Sequence, residues 1–308
     1  TIAPVINSLP DWIQWIIIVN DAGPDHTLDI AQNCQKQDQR ISIIEHDINQ
    51  GVGGAMLSGY QAAVKLGAQI FVKMDSDGQM DPQYLPALLR PILAGKADYT
   101  KGNRFLHEAE LKSMPAIRRI GNLGISFLSK LASGYWNIFD PTNGYTALTR
   151  DAFLQINPAN IAPRYFFETS MLIELSKRRA VVQDVLIPAR YADEISSLSI
   201  LKTLVEFPPK LLAGFLSRIS YLYILRDFNA ISVLGISGIV SVLFGSIWGM
   251  IKWIRSDQTG IPASTGTVMI AVLPIILGIQ FLLQALMLDI QNVPVEPISH
   301  IDQNDRHI

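Results

Sequence analysis

Phe71-Val72-Lys73-Met74-Asp75-Ser76-Asp77-Gly78-Gln79-Met80-Asp81-Pro82 places three oxygen-bearing side chains, Asp75, Asp77 and Gln79, directly after a short apolar run that reads as a buried parallel strand. In an extended segment alternate residues share a face, so the three oxygens are expected to converge on one hard cation carrying a diphosphate. A solvated acidic turn is the plainer alternative, because Asp, Gly and Pro are ordinary loop residues and Asp-x-Asp alone is common. The surrounding residues favour the first reading.

Before and after this stretch the chain alternates strands and helices. Trp15 to Val19 reads as a strand, Thr27 to Gln37 as a helix, Ile41 to Ile44 as a strand and Gly53 to Leu66 as a helix; Ile70 to Met74 and Ala97 to Thr100 are further strands. Apolar strands separated by helices indicate an α/β domain whose mainly parallel sheet is covered on both faces. Thr1 to Leu9 reads as the end of a helix feeding the Trp15 strand. A doubly wound domain normally begins with a strand, so the first strand of the sheet is expected to be missing from this chain; a naturally short N-terminus is the alternative.

Of the 308 residues, 49% are hydrophobic and only 17% charged, too apolar for an ordinary soluble enzyme of this size. The excess is local. Ala230 to Ile251 and Thr267 to Leu288 carry no charge, and each reaches the roughly 20 residues that cross a bilayer core of about 30 Å. A transmembrane hairpin follows, joined by the polar link Ser256 to Gly266, with a tail after Asp289 that is expected to be mobile. Ile200 to Asp227 mixes Lys and Arg with Leu, Phe and Tyr and is interrupted by Pro208-Pro209, which suits helices in the membrane interface with snorkelling basic residues. The net charge of -2 and the lack of a basic block exclude a nucleic-acid partner. A single cysteine, Cys34, excludes an intrachain disulfide and a cysteine metal cluster.

Further polar groups stand at presumed strand ends, where open α/β sheets bind ligands. Asn20-Asp21 follows the first visible strand, and Asp21 is suited to accept from a base N–H or ribose hydroxyls; Asp25 or Thr27 equally suits a helix cap. Asn49-Gln50-Gly51-Val52-Gly53-Gly54, with Gly59 further on, lets a helix start close to a ligand or pack close to the sheet. Arg104, in Lys101-Gly102-Asn103-Arg104, is placed to fork onto phosphate oxygens, with Arg118 and Arg119 beyond it and Arg190 as a second phosphate candidate. Asp140-Pro141-Thr142-Asn143-Gly144-Tyr145 is a polar turn. Glu168 opens a helix, as a general base or as a partner of the helix N-terminus.

Taken in order, Val-Asn-Asp-Ala, Asn-x-Gly-x-Gly, Asp-Ser-Asp-Gly-Gln-x-Asp-Pro, Gly-Asn-Arg, Asp-Pro-Thr-Asn-Gly-Tyr and Phe-Phe-Glu resemble the family 2 inverting glycosyltransferases. The resemblance is nearest to the polyprenyl-phosphate branch, the relatives of dolichol-phosphate mannose synthase with two C-terminal transmembrane helices. It implies a GT-A fold, Mg2+ or Mn2+, a nucleotide-sugar donor with a UDP-sugar expected, and a polyprenyl-phosphate acceptor. Asp75, Asp77 and Gln79 match its metal and diphosphate site, Asp21 its nucleoside acid, and Arg104 the arginine facing the phosphates. Asn20, Asn49, Gly51 and Arg190 complete the expected donor site, and Asp77, Arg104 and Glu168 the catalytic set. Three patterns depart from the family, the first being that its usual Ser-Gly-Phe turn appears as Asn143-Gly144-Tyr145. The usual Pro-x-Tyr-Asn-Glu strand end is absent, and Arg190-Tyr191-Ala192-Asp193-Glu194 stands where Arg-x-x-Gly-x-Ser-Lys is usual.

The expected division is a catalytic domain over 1–199, juxtamembrane helices over 200–228, the hairpin over 229–290 and the tail over 291–308. The catalytic domain is expected on the cytoplasmic face of the plasma (inner) membrane, with a homo-oligomer allowed. A non-catalytic membrane scaffold retaining a degenerate transferase domain is the rival reading.

Overall fold

The structure, a computed structural model, describes residues 2–23, 25–104, 116–188 and 200–298, without the side chains of 116–122 and 200–205. The chain forms two compact units, Thr1–Arg218 with Val293–Ile308, and Ile219–Asn292.

In the first unit the β-branched runs form strands where the pattern places them. β1 (Ile16–Asn20) and β2 (Ile41–Glu45) pair in parallel, with Ile16 opposite Ile41. β3 (Ile70–Lys73), β4 (Tyr99–Asn103), β5 (Thr146–Thr149) and β6 (Val182–Leu186) form a second sheet in the order β3-β5-β4-β6. β5 runs antiparallel to both β3 and β4, while β4 and β6 are parallel, so three of these four strands share a direction. The reversed strand follows directly on the polar turn at Asp140 to Tyr145. Among the described residues no strand pair joins the two sheets.

Helices cover the sheets. α1 (Ile2–Asn7) buries Ile2 and Ile6 against Ile16 of β1 and Ile41 of β2. α2 (Thr27–Gln35) has His26 at its N-cap, with no side-chain cap bond; Asp25, one residue earlier, accepts from the Thr27 amide and hydroxyl. α3 (Gly51–Lys65), α4 (Leu85–Leu93), α5 (Ala116–Ser133) and α6 (Arg150–Gln155) follow. α7 (Phe167–Lys177) is buried along nearly its whole length, as a central helix must be. Tyr60, Phe71 and Phe153 pack ring on ring at 5.4 to 5.7 Å and tie α3, β3 and α6 into one core.

Three local expectations are corrected. Pro208 and Pro209 do not interrupt the basic segment: α8 (Ile200–Ser220) runs through both, held by Phe207 and Leu211, which join a cluster with Ala132, Phe166 and Ile173. Arg218 does not snorkel; it is buried and donates to the carbonyls of Ala132 (3.0 Å) and Leu131 (3.0 Å), meeting the negative end of α5. Gly134, at φ +78°, makes this possible, because a Cβ there would lie 2.6 Å from an Arg218 nitrogen. Finally, residues 293–298 of the tail are anchored: Val293 packs on the core, and buried Ile298 donates its amide to the Asp98 carboxylate at 3.0 Å. The rest of the tail lies outside the described residues.

The second unit holds a π-helical turn, Tyr221–Arg226, and two long helices, α9 (Ala230–Thr259) and α10 (Thr265–Gln291). Asn229 and Ser232 form a capping box for α9, Gly260 ends it at φ +64°, and Ser264 caps α10. Both helices are long and apolar enough to cross a membrane, and only 17% and 6% of their most apolar windows are buried, which is not the state of a soluble core helix. They meet through small residues. Gly238 and Gly245 of α9 and Ala271, Gly278 and Ala285 of α10 are buried, and a Cβ on Gly278 would stand 2.7 Å from the Gly238 carbonyl.

Candidate active site

The stretch after β3 is a turn. The strand ends at Lys73, and the backbone from Asp75 to Met80 bends, with Gly78 at φ +80°. The strand-face argument for Asp75, Asp77 and Gln79 therefore fails in its geometry, and the three share one short loop instead. Asp77 accepts the Gln79 amide on Oδ1 at 2.9 Å, and Asp81 caps the helical turn Pro82–Tyr84 through the Gln83 amide. The Tyr145 hydroxyl donates to the Asp81 carbonyl at 3.1 Å and pins the loop to the turn before β5.

Under this loop lies a buried charge cluster. Lys73 Nζ donates to Asp75 Oδ1 at 2.8 Å and to the Gly144 carbonyl at 3.3 Å, and pairs with Glu168 Oε1 at 3.4 Å. Lys101 pairs with the other Glu168 oxygen at 3.4 Å and donates to the Asn143 carbonyl. Burial alone would depress the Lys73 pKa, but the Glu168 and Asp75 carboxylates outweigh it and the net shift is upward. Lys101 is shifted down, because full burial outweighs the pull of the Glu168 and Asp140 carboxylates. Glu168, in the first turn of α7, thus sits as a bridge between two ammonium groups.

At the end of β1, Asp21 is fully engaged. Its Oδ1 accepts from the His46 ring at 2.7 Å and the Gln50 amide at 2.8 Å, its Oδ2 from the Gly51 amide at 2.7 Å, and Asn49 donates to its carbonyl at 2.9 Å. Burial alone would raise the Asp21 pKa; the Gln50, His46 and Gly51 donors outweigh it and hold it below the usual carboxylate range. Asn20 closes β1, and its carbonyl accepts the His46 amide. Gly51 sits at φ +81°, and Cβ atoms on Gly51 and Gly53 would collide with the Pro163 and Ala162 carbonyls. The glycine cluster is thus explained by close packing, whereas a Cβ on Gly59 would make only an ordinary contact with Val19. A chain of contacts links the two loops: Asp21 accepts from Gly51, Gly53 donates to the Pro163 carbonyl ahead of α7, and Glu168 of α7 pairs with Lys73, which donates to Asp75.

After β4, Arg104 lays its fork on buried Asp140, Nε to Oδ2 at 2.8 Å and Nη2 to Oδ1 at 3.2 Å, with 37% of its side chain exposed. Asp184 lies nearby; its Oδ2 accepts from Asn103 at 2.8 Å and from the Phe139 amide at 2.7 Å, while Oδ1 has no hydrogen-bond partner among the described residues. Burial, with Asp140 adding repulsion, raises the Asp184 pKa to about 6.

Lys73, Lys101, His46, Asp140 and Asp184 were missed by the sequence reading. The available signal was a charged residue inside or just past an apolar strand. Arg190 and the side chains of Arg118 and Arg119 lie outside the described residues. Among the described residues no three His, Cys, Asp or Glu side chains cluster. The donor set on offer is two carboxylates and an amide, hard oxygens that fit Mg2+ or Mn2+ when a diphosphate and water complete the shell.

The sequence profile described as Glycosyl transferase family 2 matches residues 1–156, half of the chain. The UDP-N-acetylglucosamine–dolichyl-phosphate N-acetylglucosaminyltransferase of Methanococcus voltae is 31% identical over 190 residues, 58% of this chain and 75% of that protein. The undecaprenyl-phosphate mannosyltransferase of Micrococcus luteus is 28% identical over 163 residues, 53% of this chain and 66% of that one. The crystal structure of mannosyl-3-phosphoglycerate synthase from Rubrobacter xylanophilus matches with a TM-score of 0.52 at 15% identity, covering 74% of this chain and 72% of that one. That likeness concerns the fold alone, which is of the GT-A type.

Proposed function

The chain belongs to glycosyl transferase family 2, and from that premise we propose that it moves a sugar from a nucleotide-sugar donor, a UDP-sugar in the first instance, to a polyprenyl- or dolichyl-phosphate at a membrane surface. The observation that supports this reading is the ion-pair set Asp75–Lys73–Glu168–Lys101 beneath the Asp75 to Gln79 loop, with Arg104 held by Asp140. The acceptor and donor classes come from the named relatives.

Transfer with inversion requires an acceptor oxygen to attack the anomeric carbon opposite the departing diphosphate. A phosphate acceptor brings an oxygen that is already anionic near neutral pH, so no strong base is needed. This suits Glu168, whose carboxylate is engaged by Lys73 and Lys101. Asp140 orients Arg104, whose cationic edge faces charge that builds on the leaving group. Asp75, Asp77 and Gln79 would hold Mg2+ or Mn2+, which would neutralise part of the diphosphate charge. α9 and α10 would span the bilayer as a hairpin and keep the site near lipid headgroups. Lys202, Lys210 and Arg226 ahead of the first span favour a cytoplasmic catalytic unit, against Lys252 and Arg255 at its far end.

The test is a donor screen: full-length protein in membranes, radiolabelled nucleotide sugars, and extraction of lipid-linked product. The expected outcome is an acid-labile, lipid-extractable sugar phosphate from one donor class that vanishes on chelation. Failure with every donor, while the protein still associates with other membrane proteins, would favour the scaffold reading. Cysteine labelling from outside intact cells tests orientation: Ser264→Cys should react and Ser299→Cys should not.

A further inference from the structure

We infer that Lys73 is an internal competitor for the cation, an ammonium that offsets the charge of Asp75 and makes metal binding depend on the donor's diphosphate. The inference rests on the metal-dependent reading given above.

Lys73 is the last residue of β3 and only 2% of its side chain is exposed, whereas the Asp75 side chain it contacts is 42% exposed. A lysine in such a place normally withdraws to solvent. This one is held by three acceptors, Asp75 Oδ1, Glu168 Oε1 and the Gly144 carbonyl. The space is made for it: a Cβ on Gly144 would collide with Lys73 Nζ and stand 3.0 Å from Asp75 Oδ2. The sequence therefore sets an ammonium against one oxygen of the carboxylate, whose other oxygen lies beside Gly144.

Counting charges gives the consequence. Lys73 stands between Asp75 and Glu168, and Lys101 meets the other Glu168 oxygen, so the charge of Asp75 is already met from within the protein. A divalent ion arriving alone meets, across Asp75, a fixed positive charge at short range and reduced dielectric. A diphosphate adds the missing anionic oxygens. The cation is then held by donor and protein together, and little by the protein alone.

Manganese binding measured by electron paramagnetic resonance on the full-length protein in detergent, with and without UDP, tests this without any turnover. The wild type should bind Mn2+ weakly alone and much more tightly with UDP. Lys73→Gln, which keeps a hydrogen-bond donor but removes the charge, should tighten UDP-free Mn2+ binding about tenfold and shrink the UDP effect. Lys73→Arg, which keeps the charge, should stay within about twofold of the wild type. Lys73→Met replaces the glutamine variant if that one does not fold. Unchanged or weaker UDP-free binding in a folded neutral variant overturns the inference, as does tightening in Lys73→Arg. Mn2+ binding that is indifferent to Asp77→Asn removes the cation site itself, an outcome distinct from failure at Lys73.

Discussion

The loops after β1 and β3 each place an aspartate just past an apolar strand, β1 paired in parallel and β3, against the parallel pairing expected of it, antiparallel to β5, and they use it in opposite ways. Asp21 spends both oxygens on its own chain, on the His46 ring and on two amides at the start of α3. Asp77 gives one oxygen to a neighbouring amide within its loop, and Asp75 gives one to Lys73 while much of its side chain stays in solvent. The first loop is a brace, and the second presents oxygens to a ligand. Strand-end position alone does not tell the two apart; the donors that come back to each carboxylate do.

The largest expected effect would break the comparison outright. Asp77→Asn should lower sugar transfer on the order of a hundredfold or more at saturating Mg2+ or Mn2+, with the thermal unfolding midpoint unchanged. Full turnover in that variant would make the second loop as structural as the first. Arg104→Lys comes next, with transfer reduced about tenfold, because an ammonium cannot reproduce the two-point fork on Asp140 and the orientation it gives. Asp21→Ala should behave in the reverse sense. Its side chain is 18% exposed and receives three donors, so its loss should cost about 2 kcal/mol of stability, read by denaturant titration, before it affects donor affinity. A variant that folds normally yet loses donor binding would return Asp21 to the nucleoside pocket.

The smallest effect concerns Asp184. Its pKa is raised to about 6 in the folded protein from an ordinary 3.8, so between those limits the folded state binds the proton more strongly than the unfolded state. Stability should therefore fall as pH rises through that window and level off above it, by about 1 kcal/mol once partial solvent screening is allowed for. Asp184→Asn should flatten the slope in thermal unfolding measured from pH 4 to 7.

What the sequence made legible was whatever repeats with a local period. The β1, β2 and β3 runs, the helix ahead of β1 and α10 all lie within a few residues of their expected limits, whereas α9 runs eight residues past Ile251, through Lys252, Arg255 and Asp257, into the expected link. The Asp75 to Gln79 loop was legible by residue type, although the strand geometry first assigned to it was not. The braces escaped because each joins distant segments: Arg104 to Asp140, Lys101 to Glu168, His46 to Asp21. Pro208-Pro209 misled for the opposite reason, since local chemistry argued for a break that the packing of Phe207 and Leu211 overrides.

The small residues of the long helices recur with a period of seven, at Gly238 and Gly245 on one and at Ala271, Gly278 and Ala285 on the other. That spacing works as a vernier. Sliding one helix by a residue would set larger side chains against a slot that admits only backbone at Gly238 and Gly278. Shape would then fix the register of the pair even in a lipid environment, where hydrophobicity could not choose.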